Sequence, residues 1–324
     1  MRVVVFHQGA LGDFLLTVPV LQGLQEFCPE LQIDFWSKQE HVSLLKGKIH
    51  PGGFHTLEGR LLPSLLHDSL WITFPLPHFL TDADQIFIFG QTGTRVLADR
   101  LSKRLTAGVD WIQSFPGPDE NNTHVTDFIR RQINRLGWKT GDRFGRLNPD
   151  PHELEAVETL LRDRGISSLP ILIHPGSGGK RKVWPLKNWY DLAHWITGQL
   201  SIPVLLSVGP ADECLEGFSR TMLRAGIPSV SGLALARLAA LLSSCRLYAG
   251  SDSGVSHLAA ALGVRTVTLF GPTDPHVWGP RGDRVRVVRK DWLESEIFEW
   301  NPSRLPEAPD REVMRAVTEL LGGL

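Results

Sequence analysis

The chain has 324 residues, and at about 150 residues per domain that corresponds to two domains. Hydrophobic residues make up 42% and charged residues 21%, which excludes a disordered, collagen-like or disulfide-stapled chain. Thirty-four Lys and Arg against thirty-five Asp and Glu leave a formal charge of -1, so the overall basic surplus of many nucleic-acid binders is absent and no nucleic-acid partner is expected. The cysteines Cys28, Cys214 and Cys245 lie far apart, with no pair at metal or redox spacing, as suits a reducing cytoplasm. Arg2 is followed at once by Val3-Val4-Val5-Phe6, a run too short for a secretion signal. No apolar run reaches the ~18 residues of a membrane span.

Short apolar runs alternate with longer helical patterns, the mark of βα units around parallel sheets. In the first half the pattern predicts a strand over 2–7, a helix over 13–27, and strands over 32–36, 54–57 and 85–89. Helices over 95–104 and 123–136 follow, and the polar, Gly- and Pro-containing stretch 137–151 reads as a linker. The pattern then restarts with a helix over 152–164, a strand over 170–174, a helix over 186–200 and a strand over 203–208. Helices over 212–225 and 233–244 come next, then strands over 246–249 and 265–270 around a short helix over 255–262. The last helix, 310–321, repeats Val313, Val317, Leu320 and Leu321 at helical spacing. The expected architecture is α/β: two doubly wound domains facing each other across a cleft. Such sheets bind ligands at the carboxyl ends of their strands.

Three strand-to-helix junctions carry chemistry. The first is His7-Gln8-Gly9-Ala10-Leu11-Gly12-Asp13. Its glycines let the backbone turn sharply, and Asp13 falls at a helix start, where the dipole favours a carboxylate. Asp13 suits either a helix cap or a base that accepts a hydroxyl proton. The spacing is not G-x-G-x-x-G, so Asp34, placed where a ribose-binding acid would sit in a dinucleotide fold, carries little weight. The second junction, His174-Pro175-Gly176-Ser177-Gly178-Gly179-Lys180-Arg181-Lys182, combines exposed amides, a hydroxyl and cations, as a diphosphate requires. A solvated basic loop is the competing reading, and His174 at a strand end reads as a structural histidine. The third, Gly250-Ser251-Asp252-Ser253-Gly254-Val255-Ser256-His257, opens a helix with small residues and can bind an anion on its amides. His257 suits either packing beneath that loop or ligand contact. Asp82-Ala83-Asp84 fits a D-x-D metal pattern, but no further ligands lie nearby in sequence and it reads as a solvated loop.

Taken together, Gly9–Asp13 with Leu16-Thr17-Val18-Pro19, His174–Pro185 ending Lys182-Val183-Trp184-Pro185, and Ser251–His257 running on to Phe270-Gly271-Pro272-Thr273-Asp274-Pro275 resemble glycosyltransferase family 9, the lipopolysaccharide heptosyltransferases. The resemblance implies a GT-B fold of two Rossmann-like domains. An acceptor-binding domain would span 1–150 and a nucleotide-sugar-binding domain 151–309, with a terminal helix, 310–324, crossing back to the first. It implies an inverting transfer of heptose from ADP-heptose to a lipopolysaccharide inner-core acceptor, with no metal or other cofactor. The implied setting is bacterial and cytoplasmic, at the inner face of the inner membrane.

By motif position the resemblance assigns Asp13 as general base, with Gly12 and Arg60 on the acceptor side. Arg60 reads equally as a solvated arginine. Lys182 would stabilise the leaving diphosphate, assisted by Ser177 and by Ser253, Gly254 and Val255 at the helix start. Asp252 would hold the sugar, His257 support the phosphate loop, Asp212 or Glu213 touch the ribose, and Leu233 line the base pocket. Two departures bear on the sugar and the acceptor more than on the reaction. The segment after Pro280 lacks a cysteine-bearing loop common in the family, and Gly178-Gly179-Lys180-Arg181 differs from the better-known heptosyltransferase loop. A GT-B transferase using UDP- or GDP-hexose on another glycan stays open, as does a non-catalytic sugar-nucleotide-binding protein.

Overall fold

The computed structural model describes residues 1–322 except 47, 48, 50, 118, 119, 121, 142–144, 210, 211 and 302. The chain divides into two compact units, Met1–Asn148 and Pro149–Leu324. No helix among the described residues is long and apolar enough to cross a membrane.

The first unit runs β1 (Arg2–His7), α1 (Leu11–Phe27), β2 (Gln32–Ser37), α2 (Gln39–Ser43), β3 (Pro51–Thr56) and α3 (Leu61–Leu66). It continues with α4 (His78–Thr81), β4 (Gln85–Gly90), α5 (Thr92–Ser102), β5 (Gly108–Gln113) and α6 (Val125–Arg135). Its sheet has the order β3-β2-β1-β4-β5, and every pairing is parallel. Val3, Val4, Val5 and Phe6 of the central strand are wholly buried, which is why that strand reads as an unbroken apolar run rather than an alternation. α1 is buried over most of its surface, including Phe14, Leu15, Val18 and Leu21. The Thr126 hydroxyl of α6 donates to the Leu16 carbonyl at 2.9 Å. Gly23 is required by a close backbone approach, since a Cβ there would lie 2.6 Å from the Gly141 nitrogen.

The second unit runs α7 (Pro151–Asp163), β6 (Ile171–His174), α8 (Leu186–Gln199), β7 (Val204–Val208), α9 (Glu216–Arg224), β8 (Ser229–Ser231) and α10 (Leu235–Ser243). It ends with β9 (Leu247–Ser251), α11 (Gly254–Ala261), β10 (Thr266–Phe270), α12 (Pro275–Trp278), β11 (Val285–Arg289) and α13 (Arg311–Leu321). The six strands, all parallel, are ordered β11-β10-β9-β6-β7-β8. In both sheets the order reverses beside the first strand of the unit, between β1 and β4 and between β6 and β9. Loops diverge at such a reversal and leave a crevice.

The terminal helix, α13, packs on β9, β10 and β11 of its own unit, and Val313, Ala316, Val317 and Leu320 enter the same core as Leu247, Val267, Leu269 and Val288. Its apolar stripe is matched by polar ties. Asp310 caps it by accepting from the Glu312 and Val313 amides. Lys290, just past β11, bridges Asp310 and Glu312 at 3.1 and 2.7 Å.

Candidate active site

In the first unit, Gln8, Gly9 and Ala10 join β1 to α1. A Cβ on Gly9 would lie 2.9 Å from the His7 ring and 3.1 Å from an Asp13 carboxylate oxygen, so this turn closes only with glycine. Ala10 is the N-cap and has no oxygen to offer; Asp13 Oδ2 accepts the Ala10 amide instead, at 3.3 Å. Asp13 is therefore a helix cap by position. It also borders a cavity of about 390 Å³ at the carboxyl ends of β1, β4 and β5, with Gly9, Gly90, Gln91, Thr94 and Ser114 around it. Gly12, the second helical residue, is half-buried and Arg60 is exposed at the N-cap of α3; neither is among the residues bordering that cavity.

The wall of this cavity was only partly legible in the sequence. Gln91 and Thr94 follow a strand that the pattern located, but Ser114 follows β5, which it did not. The Gln91 side-chain nitrogen is buried with no hydrogen-bond partner among the described residues. Thr94 accepts the Trp111 indole N–H at 3.0 Å and donates to the Gln91 carbonyl at 2.9 Å. Asp34 faces no ligand space. It is wholly buried and accepts from Arg2 at 2.8 Å and from His55 at 2.9 Å.

In the second unit the loops after β6, β9 and β10 are bonded to one another. Ser177 donates to the Asp252 carbonyl at 2.7 Å and accepts the Gly179 amide at 3.4 Å. Ser251 donates to the Pro175 carbonyl at 2.7 Å. The Asp252 carboxylate, buried, takes the Lys182 ammonium at 2.9 Å and the Thr273 hydroxyl at 2.6 Å on the same oxygen. Lys182 thus stands over the start of the loop that opens α11, with a third of its side chain exposed. Ser253, the N-cap of α11, makes no side-chain cap bond, so the first amides of that helix are not satisfied by its hydroxyl. Gly254 and Val255 are half-buried, and His257 is buried one turn into the helix.

The Phe270–Pro275 block acquires residue-level reasons. Thr273 holds Asp252, and Asp274 caps α12 by accepting the His276 amide at 2.9 Å. A Cβ on Gly271 would lie 2.4 Å from the Trp292 ring. That indole donates to the Arg181 carbonyl at 3.2 Å, tying the segment after β11 to the basic loop. Trp292 carried no signal in the sequence because its partner is a backbone oxygen more than a hundred residues away.

Three further expected residues lie between β7 and α10. Asp212 is turned inward: it is buried, accepts the Gly209 amide at 2.8 Å, and stands 3.9 Å from His174 Nε2. A Cβ on Gly176 would overlap the Asp212 carboxylate, so this side chain packs into the turn. Glu213 opens a 3-10 turn, Glu213–Leu215, and its side chain lies outside the described residues. Leu233 is half-buried in the loop before α10. His174 is structural, as expected: its Nδ1 lies 2.9 Å from the Ser207 hydroxyl, and burial pushes its pKa down against the pull of Asp212.

The D-x-D pair is occupied by the fold. Asp84 accepts the Arg2 amide at 2.7 Å and Asp82 the Thr81 hydroxyl at 2.9 Å. Among the described residues no group of three or more His, Cys, Asp or Glu can hold a metal ion.

Two doubly wound parallel-sheet units define a two-domain fold of the GT-B class. The family model described as glycosyltransferase family 9 (heptosyltransferase) matches residues 124–301, more than half of the chain, and the chain belongs to that family. It is 25% identical over 305 residues to lipopolysaccharide heptosyltransferase 1 of Salmonella typhimurium, covering 87% of this chain and 92% of that one. Its fold is similar to a glycosyl transferase family 9 structure from Veillonella parvula, with a TM-score of 0.71, 18% identity, and coverage of 99% of this chain and 97% of that one. The E. coli ADP-heptose lps heptosyltransferase II structure is similar at a TM-score of 0.70 and 18% identity, covering 99% and 98%.

Proposed function

We propose that this glycosyltransferase moves a heptose from ADP-heptose to a lipopolysaccharide inner-core acceptor, with inversion at the anomeric carbon and without a metal. Asp13 serves as general base. Family membership supports the reaction class, and the names of the relatives, a lipopolysaccharide heptosyltransferase and an ADP-heptose enzyme, support the donor and the acceptor. The observation that carries the reading is the placement of Asp13: a carboxylate fixed by its own helix amide on the border of a cavity at a sheet's reversal point.

In the proposed step the acceptor hydroxyl oxygen attacks the anomeric carbon as its bond to the phosphate oxygen breaks. The hydroxyl proton passes to Asp13. One displacement from the opposite face inverts the configuration. ADP leaves with the electron pair, and its charge is met by Lys182 and by the Gly254 and Val255 amides, aided by Ser177. An ammonium has three donors, and Asp252 uses one. The lipid-linked acceptor sets the working place at the inner face of the inner membrane.

Asp13→Asn separates cap from base. The asparagine oxygen still accepts the Ala10 amide, so stability and ADP affinity are expected to hold while kcat falls by about 10²–10⁴-fold. Wild-type turnover in this variant would refute the assignment. EDTA is expected to leave turnover unchanged; loss on chelation, restored by a metal, would refute the metal-free step.

A further inference from the structure

The surface around residues 61–76 of the first unit, next to Arg60, borders neither the Asp13 cavity nor the basic loop. α3 ends at Leu66, and hydrogen-bonded turns carry the chain onward, with the Trp71 amide on the His67 carbonyl at 3.3 Å and the Phe74 amide on the Leu70 carbonyl at 2.9 Å. One side of the segment is core: Leu65 is wholly buried, and Leu61, Leu62 and Leu76 pack with Leu97 and Leu101. Within the same segment Leu66, Leu70 and Ile72 are exposed at 41%, 43% and 60%. A single exposed leucine is ordinary, but three such residues within one short segment form a patch that calls for an occupant.

α5 and the residues just past it hold these turns in place. Arg104 donates to the Trp71 and Phe74 carbonyls at 2.7 and 2.8 Å. Arg100 donates to the Leu65 carbonyl at 2.9 Å and pairs with Asp68 at 2.6 Å. The Arg100 guanidinium and the Lys103 ammonium lie 5.5 and 5.9 Å from the centre of the Trp71 ring. The same contacts set the charge. From Arg60 to Thr81 the sequence carries one carboxylate, Asp68, and Arg100 takes it; from Thr92 to Arg104 it carries one more, Asp99, against Arg95, Arg100, Lys103 and Arg104. Arg60, Lys103 and Arg104 have no carboxylate partner among the described residues. Arg104 bonds neutral carbonyls, so its charge is uncancelled.

Apolar tips on a braced segment, an indole beside cations, and uncancelled positive charge together match a lipid–water interface with anionic headgroups. We propose that this face seats the first unit on an anionic bilayer, with Leu66, Leu70 and Ile72 in the acyl boundary and Lys103 and Arg104 at the phosphates. The inference deepens the proposed function and rests on it for the lipid-linked acceptor. α5 supplies a scale. Its N-terminal turn reaches the Asp13 cavity through Gly93 and Thr94, and the bracing cations lie at its other end. Eleven residues at 1.5 Å each separate the two by about 16 Å, a reach that suits an acceptor sugar whose lipid stays in the membrane.

The test is sedimentation of the full chain with vesicles. Binding to phosphatidylethanolamine–phosphatidylglycerol vesicles is expected to exceed binding to phosphatidylcholine and to fall with added salt. The double variant Leu70→Ser, Ile72→Ser is expected to lose at least about tenfold in vesicle affinity, and Lys103→Gln is expected to lessen the preference for anionic lipid. Transfer to a soluble, delipidated acceptor fragment is expected to stay at the wild-type rate in each. No sedimentation of the wild type, or equal sedimentation of wild type and double variant, overturns the proposal. A wild-type dimer that the double variant splits, without vesicle binding, assigns the face to a second copy of the chain and also overturns it. Failure of the wild type to transfer to the soluble fragment counts against the proposed function, while sedimentation still decides the membrane face.

Discussion

His7 lies beneath the Gly9 turn, with its ring edge-on to Phe14 at 5.4 Å between centroids and near Phe89. Burial, with His41 and Lys38 nearby, pushes its pKa down to about 3. Burial and Lys38 push His41 down to about 4. Both rings are neutral in the fold and have an ordinary pKa near 6.5 once unfolded. Above pH 6.5 neither state takes a proton, so these rings add no pH dependence. Below it the unfolded chain binds protons first, and stability is lost as pH falls through 6.5 toward 3. At pH 5 His7 alone is expected to cost about 2 kcal/mol. Urea unfolding at pH 5 and pH 7.5 checks this: His7→Leu is expected to show a shallower acid loss than wild type, and an unchanged loss would refute the account. The sequence shows why such residues are hard to read. His7 is visible at a strand end, but only the fold brings His41 and Lys38 to it.

Edge positions account for the strands missing from the sequence reading. β5, β8 and β11 all lie at sheet edges, and none carries a continuous apolar run: Gly108–Gln113 is mostly half-buried, Ser229–Ser231 is three residues long, and Val285–Arg289 buries only Val288. A strand covered on one face, or hardly at all, lacks the uninterrupted pattern that made β1, β4, β6 and β10 legible. The helix over 212–225 began late for a local reason: Asp212 closes its turn on Gly209 and a 3-10 turn precedes α9. α13 was legible as a helix, but an amphipathic stripe does not name the surface that it covers. Since Val317 is wholly buried in the second unit's core, Val317→Ala is expected to lower stability by about 2 kcal/mol. The thermal transition that ADP raises is the one that should shift. A shift confined to a transition insensitive to ADP would place the helix elsewhere.

At the scale of the molecule, the βα pattern restarts at residue 152 after the polar stretch 137–151, and the two compact units meet at Asn148–Pro149, within that stretch. The rule that ligands gather where strand order reverses then selects two of the many loops, those after β1 and β6 with their neighbours. Overall charge, at -1, says nothing of either. Hydrogen exchange with ADP tests the division of labour. Amides of 174–184 and 251–257 are expected to gain protection at saturating ADP, with the whole second unit stabilised by about 2.7 kcal/mol at a hundredfold excess over Kd. The turn over 8–13 is expected to stay unchanged. Protection at 8–13 rather than 251–257 would move the nucleotide to the first unit.

Asp252 holds the Lys182 ammonium at 2.9 Å. In the proposed reaction the diphosphate would share that charge with a buried carboxylate of like sign, which would limit how tightly the spent nucleotide is retained and make Asp252 an internal competitor that speeds product escape. Asp252→Asn is expected to lower the inhibition constant of ADP and slow steady-state turnover relative to a single-turnover burst. An inhibition constant that rises instead would show that the carboxylate aids nucleotide binding.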